Sequence, residues 1–305
     1  MRYRGEEPDD EDSLVEWLER PTPATSRVLV TAISGFLDAG NAVRTAAEHL
    51  REVLEHRVIA LFDIDLLFNY RERRPLMSFR SDHFESVNLP SLALIEFIDE
   101  RGTPFLVLVG EEPDLGWQTV TDSVIELVED LDVTLTVGLA AVPFPAPHTR
   151  PVPVTAHSND PLLISGRQPW VGDIDVPGAL SSLIEFQLAE EGHRSMGFAA
   201  HVPHYLAGMA HPRSALALLT EVMGATGLVL PLDELRERAD DADSELNSQI
   251  AGNSENEDVV RGLEQSYDQL AANRTVEVEP ASGDELAEQI ERFLAEMDAR
   301  GNDQE

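Results

Sequence analysis

Arg27 to Ile33 (RVLVTAI) is a near-continuous apolar run, followed directly by a glycine-bearing turn and an amphipathic stripe. A run of that kind suits a strand buried on both faces of a parallel sheet. The stripe, Ala39, Val43, Ala46, Ala47, Leu50 and Leu54, recurs at helical spacing. Its small residues let the helix lie close to the sheet. A buried strand, a turn and a helix in succession point to alternating α/β architecture.

The alternation continues along the chain. Further strands are expected at 56–62, 91–98, 103–109, 133–139 and 197–202, with helices at about 117–131, 177–191 and 212–223. Residues 141–161 carry so many prolines (VPFPAPHTRPVPV) that a long loop with at most short extended pieces is expected. After Pro231 the chain turns acidic, with helical periodicity over 233–272 and again over 283–298. The expected organisation is an acidic tail and docking segment at 1–20, an α/β core at 21–232, an acidic helical region at 233–300 and a tail at 301–305.

Composition removes several chemistries. There is no cysteine, so thiol nucleophiles, disulfides and Cys-ligated metals are excluded. All 22 basic residues are arginine, which removes a Walker lysine, Schiff-base chemistry and a lysine base. The net charge of −35 repels phosphate backbones and anionic lipid, so neither nucleic acid nor membrane is expected as a partner. Met1 to Arg20 is acidic where a secretory signal needs a basic start. No run approaches the ~18 apolar residues of a membrane span, and a cytoplasmic location is expected.

Four segments carry candidate sites. The turn Ser34–Asn41 has G-x-x-x-x-G spacing between Gly35 and Gly40, but Asn41 and Ala42 stand where a P-loop needs lysine and Ser/Thr. The dinucleotide fingerprint is absent as well. The helix start could still attract an anion, or Asp38 could cap it and use the same donors. Arg71, Arg73 and Arg74 form a basic island that could clamp an anion or pair with the chain's own carboxylates; Asp63 and Asp65 just upstream form a D-x-D. Glu111 and Glu112 follow a parallel strand, where α/β proteins bind ligands. His201 and His204 lie at a strand end at a spacing that matches no zinc-helix motif, and His148 and His157 lie in the proline-rich loop. No catalytic residue, metal site or cofactor is assigned.

Several segments fall in a recognisable order: GFLDAGNAV at 35–43, DLLFNYRERRP at 65–75, GEEP at 110–113, PHTRPVPVT at 147–155 and GFAAHVPHYLA at 197–207. Together they resemble the bacterial, chiefly actinobacterial, branch of the proteasome assembly chaperone 2 family, over about residues 14–240. The resemblance implies a three-layer α/β/α fold of the phosphorylase/hydrolase-like type, shaped like purine nucleoside phosphorylases. It also implies a homo-oligomer, such as a trimer, with protein partners of the proteasome type. Some archaeal relatives engage the proteasome through a hydrophobic–Tyr–any-residue C-terminus, a pattern that Gly301-Asn302-Asp303-Gln304-Glu305 does not match.

The reading that follows is a non-catalytic, homo-oligomeric protein-binding factor. The alternative is an enzyme or sensor for a small anionic or nucleoside-like ligand. That alternative requires the 34–41 turn, the arginines at 71, 73 or 74, and Glu111 to line one concave pocket.

Overall fold

The computed structural model describes residues 14–24, 27–167 and 172–273. The acidic tail at 5–12, the expected helix at 283–298 and the last five residues lie outside the described residues.

Eight strands form one mixed sheet, in the order β1-β3-β6-β7-β2-β8-β10-β9. Its centre is four parallel strands: β7 (Pro104–Glu111), β2 (Arg27–Ser34), β8 (Val133–Phe144) and β10 (Ser195–Pro203). β6 (Leu92–Ile98) runs antiparallel to β7, β3 (His56–Phe62) antiparallel to β6, and the short β1 (Val15–Trp17) closes that edge. β9 (Val154–Ser158) runs antiparallel to β10 at the other edge. Helices α1 (Ala42–Val53) and α5 (Pro212–Thr226) cover one face; α3 (Trp117–Asp130) and α4 (Leu180–Glu190) pack on the other. This is a three-layer α/β/α arrangement.

The apolar runs are continuous because both faces of the central strands are covered. Along β2, Val30 and Ala32 enter the cluster beneath α1 and α5, while Leu29 and Ile33 enter the one beneath α3 and α4. Each of the Val, Leu and Ile side chains stabilises the fold by about 1.5–3 kcal/mol on full burial. The expected stripe on the first helix is buried along its length, from Ala39 to Leu54.

The tertiary structure adds detail that the pattern of residues does not show. β8 runs on to Phe144 and β9 is a true edge strand, so the proline-rich segment contributes to the sheet at both ends. α4 begins at Leu180, three residues beyond Pro177. The patch at 14–17 is β1, paired with β3, and Leu14 is buried. Next to it a buried carboxylate holds the chain: Glu96 accepts from the Thr22 backbone N–H (2.7 Å), the Thr22 hydroxyl (2.9 Å) and the Arg57 guanidinium (2.9 and 2.8 Å).

Helices α6 (Asp233–Ile250) and α7 (Ser254–Asn273) complete the described chain. Leu235 and Ala239 of α6 are fully buried in the cluster beneath α5. The imidazole of buried His49 bridges the two parts, contacting Pro231 O at 2.7 Å and Arg238 at 2.9 Å. A guanidinium only donates, so Nδ1 of His49 accepts from Arg238 and Nε2 carries the proton given to Pro231. α7 rests on the proline-rich loop through Arg150, which forks onto Asp268 with two bonds of 2.8 Å and reaches Glu264 at 3.2 Å.

One element departs from everything around it. β4 (Leu76–Arg80) and β5 (His83–Asn88) form a separate two-stranded hairpin in which every residue is exposed.

Candidate functional site

The parallel strands β7, β2, β8 and β10 end together at Glu111, Ser34, Phe144 and Pro203, and most of the candidate residues gather there. The turn after β2 is held from both sides. Asp38 bridges to Ala141 of β8, and Ala141 N–H donates to Leu37 O (2.8 Å). Gly40 N–H donates to Ala207 O (2.7 Å), and His211 N–H donates to Gly40 O (2.8 Å). Gly40 has φ +66°, and a Cβ there would stand 2.9 Å from the Cβ of His211. Only glycine meets both demands. Asn41 follows at φ +47°, a left-handed position that asparagine tolerates.

Asp38 caps α1. Its Oδ1 accepts from Val43 N–H at 2.7 Å and its Oδ2 from Arg44 N–H at 3.4 Å. Burial nevertheless pushes its carboxyl up to about 6, because the two backbone bonds and Arg44 offset only part of the lost hydration. The donors that would attract an anion at this helix start are therefore held by the chain's own carboxylate.

On the β7 side the three expected segments do meet, Arg73 through ion pairs and the turn through a backbone hydrogen bond. Arg73 donates to Glu111 (3.3 Å), to Glu112 O (3.2 Å) and to Asp114 (2.6 Å), with its guanidinium 5.6 Å from the Phe68 ring centre. Glu112 fastens the β2 turn to α4, accepting from Phe36 N–H at 3.1 Å and Leu180 N–H at 2.8 Å. It lies so close to Gly35 that a Cβ there would come within 2.5 Å of it. Arg73 and Glu112 thus tie the three segments together directly. The cleft alongside, lined by Ser34, Arg44, Glu48, Arg51, Ser91 and Glu111 among others, holds about 120 Å³. Pockets for drug-sized ligands start at roughly 300 Å³. A larger space of about 510 Å³ lies elsewhere, by Val154, Ala156 and Arg167, and contains none of the candidate residues.

The remaining candidates have separate surroundings. Arg71 and Arg74 are exposed, and among the described residues neither pairs with a carboxylate. Asp63 caps the one-turn α2 (Ile64–Leu67) through Asp65 N–H, while Asp65 accepts from the Tyr70 hydroxyl. His201 is buried, 2.9 Å from the Thr155 hydroxyl and against the Phe144 ring, whereas His204 packs edge-on to Tyr205. His148 is bracketed by the Tyr205 hydroxyl (2.7 Å) and Asn247 of α6 (3.1 Å). His157 pairs with Glu185 at 2.8 Å; burial opposes its protonation, but the carboxylate prevails and raises its pKa. Among the described residues no group of three or more His, Asp or Glu is placed to hold a metal ion.

The surface that the sequence reading passed over is the hairpin. Leu76, Met77, Phe79, Phe84 and Val87 are 48–79 % exposed. Phe79 pairs with Phe84 across the ladder and Met77 with Val87. Met77 and Phe79 are two apart on β4, and a bulge at Glu85 keeps Phe84 and Val87 opposite them, so both pairs lie on one face. The available signal was two short runs rich in apolar residues around Ser81-Asp82, a two-residue loop without the usual glycine.

The model of the PAC2 family matches residues 32–250. The chain belongs to the PAC2 family. Among solved structures, the Mycobacterium tuberculosis protein Rv2714, of unknown function, is 42% identical with a TM-score of 0.83; the match covers 90% of this chain and 94% of that one. A Corynebacterium glutamicum protein of unknown function is 35% identical at a TM-score of 0.81, covering 84% and 97%. The M. tuberculosis proteasome-assembly chaperone homologue Rv2125 is 25% identical at 0.70, covering 76% and 99%. No match is found among the curated proteins. The PAC2 match spans the ordered motifs from the β2 turn to the strand–histidine segment. Among the described residues no helix is long and apolar enough to cross a membrane.

Proposed function

We propose that this PAC2-family chain is a non-catalytic, homo-oligomeric factor that binds other proteins in assembly, with proteasome-type components as its partners. The observation that carries this reading is the contrast between two surfaces. The carboxyl ends of the parallel strands, where an enzyme of this architecture would hold a ligand, are closed by Arg73, Glu112 and the capped turn. The hairpin, by contrast, offers Met77, Phe79, Phe84 and Val87 together on one exposed face.

A lone two-stranded hairpin is marginal in water. Covering one exposed apolar side chain contributes about 1–2 kcal/mol, so five of them supply a strong reason to associate. On this reading the hairpin is the arm through which copies of the chain associate, as a trimer, in the cytoplasm. Gly35, Asp38, Gly40, Asn41 and Glu111 act with Arg73 to keep the carboxyl-end surface rigid, and His201 and His204 anchor the loop beside it. The α/β core then ends at residue 232, and the acidic helices beyond it present the partner-facing surface.

Light scattering coupled to gel filtration, followed by gentle crosslinking and affinity capture at native expression, tests the proposal. Wild type is expected as an oligomer with co-purifying proteasome components, and Phe79→Ser/Phe84→Ser as a folded monomer. A monomeric wild type recovered alone would overturn it.

A further inference from the structure

We propose that three buried histidines form a proton-controlled latch that holds α6 to the core at neutral pH and releases it in mild acid. The three are His49, His148 and His211. His49 of α1 accepts at Nδ1 from Arg238 of α6 at 2.9 Å. His148, in the proline-rich loop, reaches Asn247 of α6 at 3.1 Å through Nε2. His211, just before α5, lies in the field of Asp243 of α6. The contacts thus follow α6 from 238 to 247, about 14 Å of helix.

An imidazolium donates from both nitrogens and needs an acceptor at each. None of these sites supplies both. At His49 the second N–H would face the Arg238 guanidinium, which only donates. At His148 the Tyr205 oxygen already accepts the backbone N–H at 2.8 Å. With no other acceptor among the described residues, the Tyr205 hydroxyl gives its proton to Nδ1 at 2.7 Å. That hydroxyl keeps its proton, because burial lifts its pKa to about 12. At His211, Nδ1 bonds the Ser214 hydroxyl at 2.8 Å, while the buried Nε2 has no partner among the described residues. Burial accordingly pushes the His211 pKa down to about 4.

The charges around the seam do not reverse this. Asp243 favours a charge on His211, but it is bonded to Arg213 at 2.6 Å, and Arg213 and His148 oppose that charge. Glu264, which faces Tyr205, is held by Thr149 and Arg150. Glu52, on the His49 side, pairs with Arg238 at 3.1 Å.

When α6 swings away, the imidazoles are hydrated and titrate near 6.5. The stability that neutral His211 gives the closed seam is full above that value and is lost as pH falls toward 4. Between pH 7.5 and 5.5 this residue alone raises the opening constant about tenfold. Release bares the apolar seat of Leu235 and Ala239. Net charge predicts the opposite trend. A chain at −35 repels its own acidic helices less as its carboxylates take up protons, so charge alone would tighten α6 in acid. Asp38, whose pKa is raised to about 6, also stabilises the fold in acid.

Amide exchange of the full chain, followed by mass spectrometry at pH 7.5, 6.5 and 5.5 and corrected for intrinsic rate, tests the latch. Protection over 233–250 is expected to fall tenfold or more by pH 5.5 while β2 and β7 keep theirs. His211→Asn and His49→Gln retain a neutral polar group and should each flatten that profile. Protection over 233–250 that stays constant or rises in acid, a loss shared equally by β2 and β7, or a loss unchanged in both variants overturns the proposal. If neither variant folds, the wild-type profile decides by itself.

Discussion

Asp38→Asn separates two roles that one carboxylate plays. The carboxyl caps α1 through Val43 N–H, and burial raises its pKa from 3.8 to about 6. An unfolded aspartate titrates near 3.9. The native state therefore holds the proton more tightly than the unfolded state between those values. Stability attributable to this group is complete below about pH 4, falls as pH rises and levels off above about pH 6. Two pK units correspond to roughly 3 kcal/mol at neutral pH. Partial exposure of the side chain screens the charge, so about 1–2 kcal/mol is the working figure. Asparagine keeps the oxygen that accepts from Val43 and loses the charge. Asp38→Asn should therefore be more stable than wild type at pH 7, by about 1–2 kcal/mol or a few degrees in Tm. Denaturant titrations from pH 5 to 8 test the sign: the gap should be about half its full size at pH 5 and constant above pH 7. A gap that does not vary with pH, or a variant less stable at pH 7, would refute the argument that burial outweighs the cap.

Gly40→Ala should destabilise the chain by about 2–4 kcal/mol, combining a left-handed backbone with overpacking against His211. Gly102→Ala has φ +81° but nothing within 4 Å of the new Cβ, so thermal unfolding should show only ~1–2 kcal/mol there; equal losses would rule out the packing argument. Arg150→Ala should speed amide exchange and proteolysis within 254–273 while leaving the sheet unchanged, because the fork onto Asp268 and Glu264 is removed. High salt should have the same effect in wild type by screening those pairs.

The core was legible because burial and periodicity coincide. A strand covered on both faces has to read as Val-Leu-Val, and a helix lying on it has to show Ala, Val and Leu at every third or fourth place. The ranges expected for β2, β3, β6, β7 and α3 therefore agree with the structure to within one or two residues. The hairpin was not legible for the same reason. Met77-Ser78-Phe79-Arg80 alternates for only four residues, and the bulge at Glu85 sets Phe84 and Val87 three apart, so no period of two marks the second strand. The β1 segment is only three residues long, too short for any pattern, and it is held by its ladder to β3 and by the Glu96 network nearby.

For the candidate site, composition settled what this chain cannot use: no thiol, no lysine and no P-loop. Those conclusions depend only on which atoms are present. Whether Arg73 was free to clamp an anion, and whether Asp38 was free to release the helix start, depended on partners 38 and 41 residues away in the chain for Arg73 and on the strand beside Asp38. Ion pairs and close packing across the sheet have no signature in local spacing. The family and the strand–turn–helix that opens its motif series were thus properties of the sequence by itself. Only the tertiary structure decided that this turn is closed by its own carboxylates and that the exposed apolar surface lies on the hairpin.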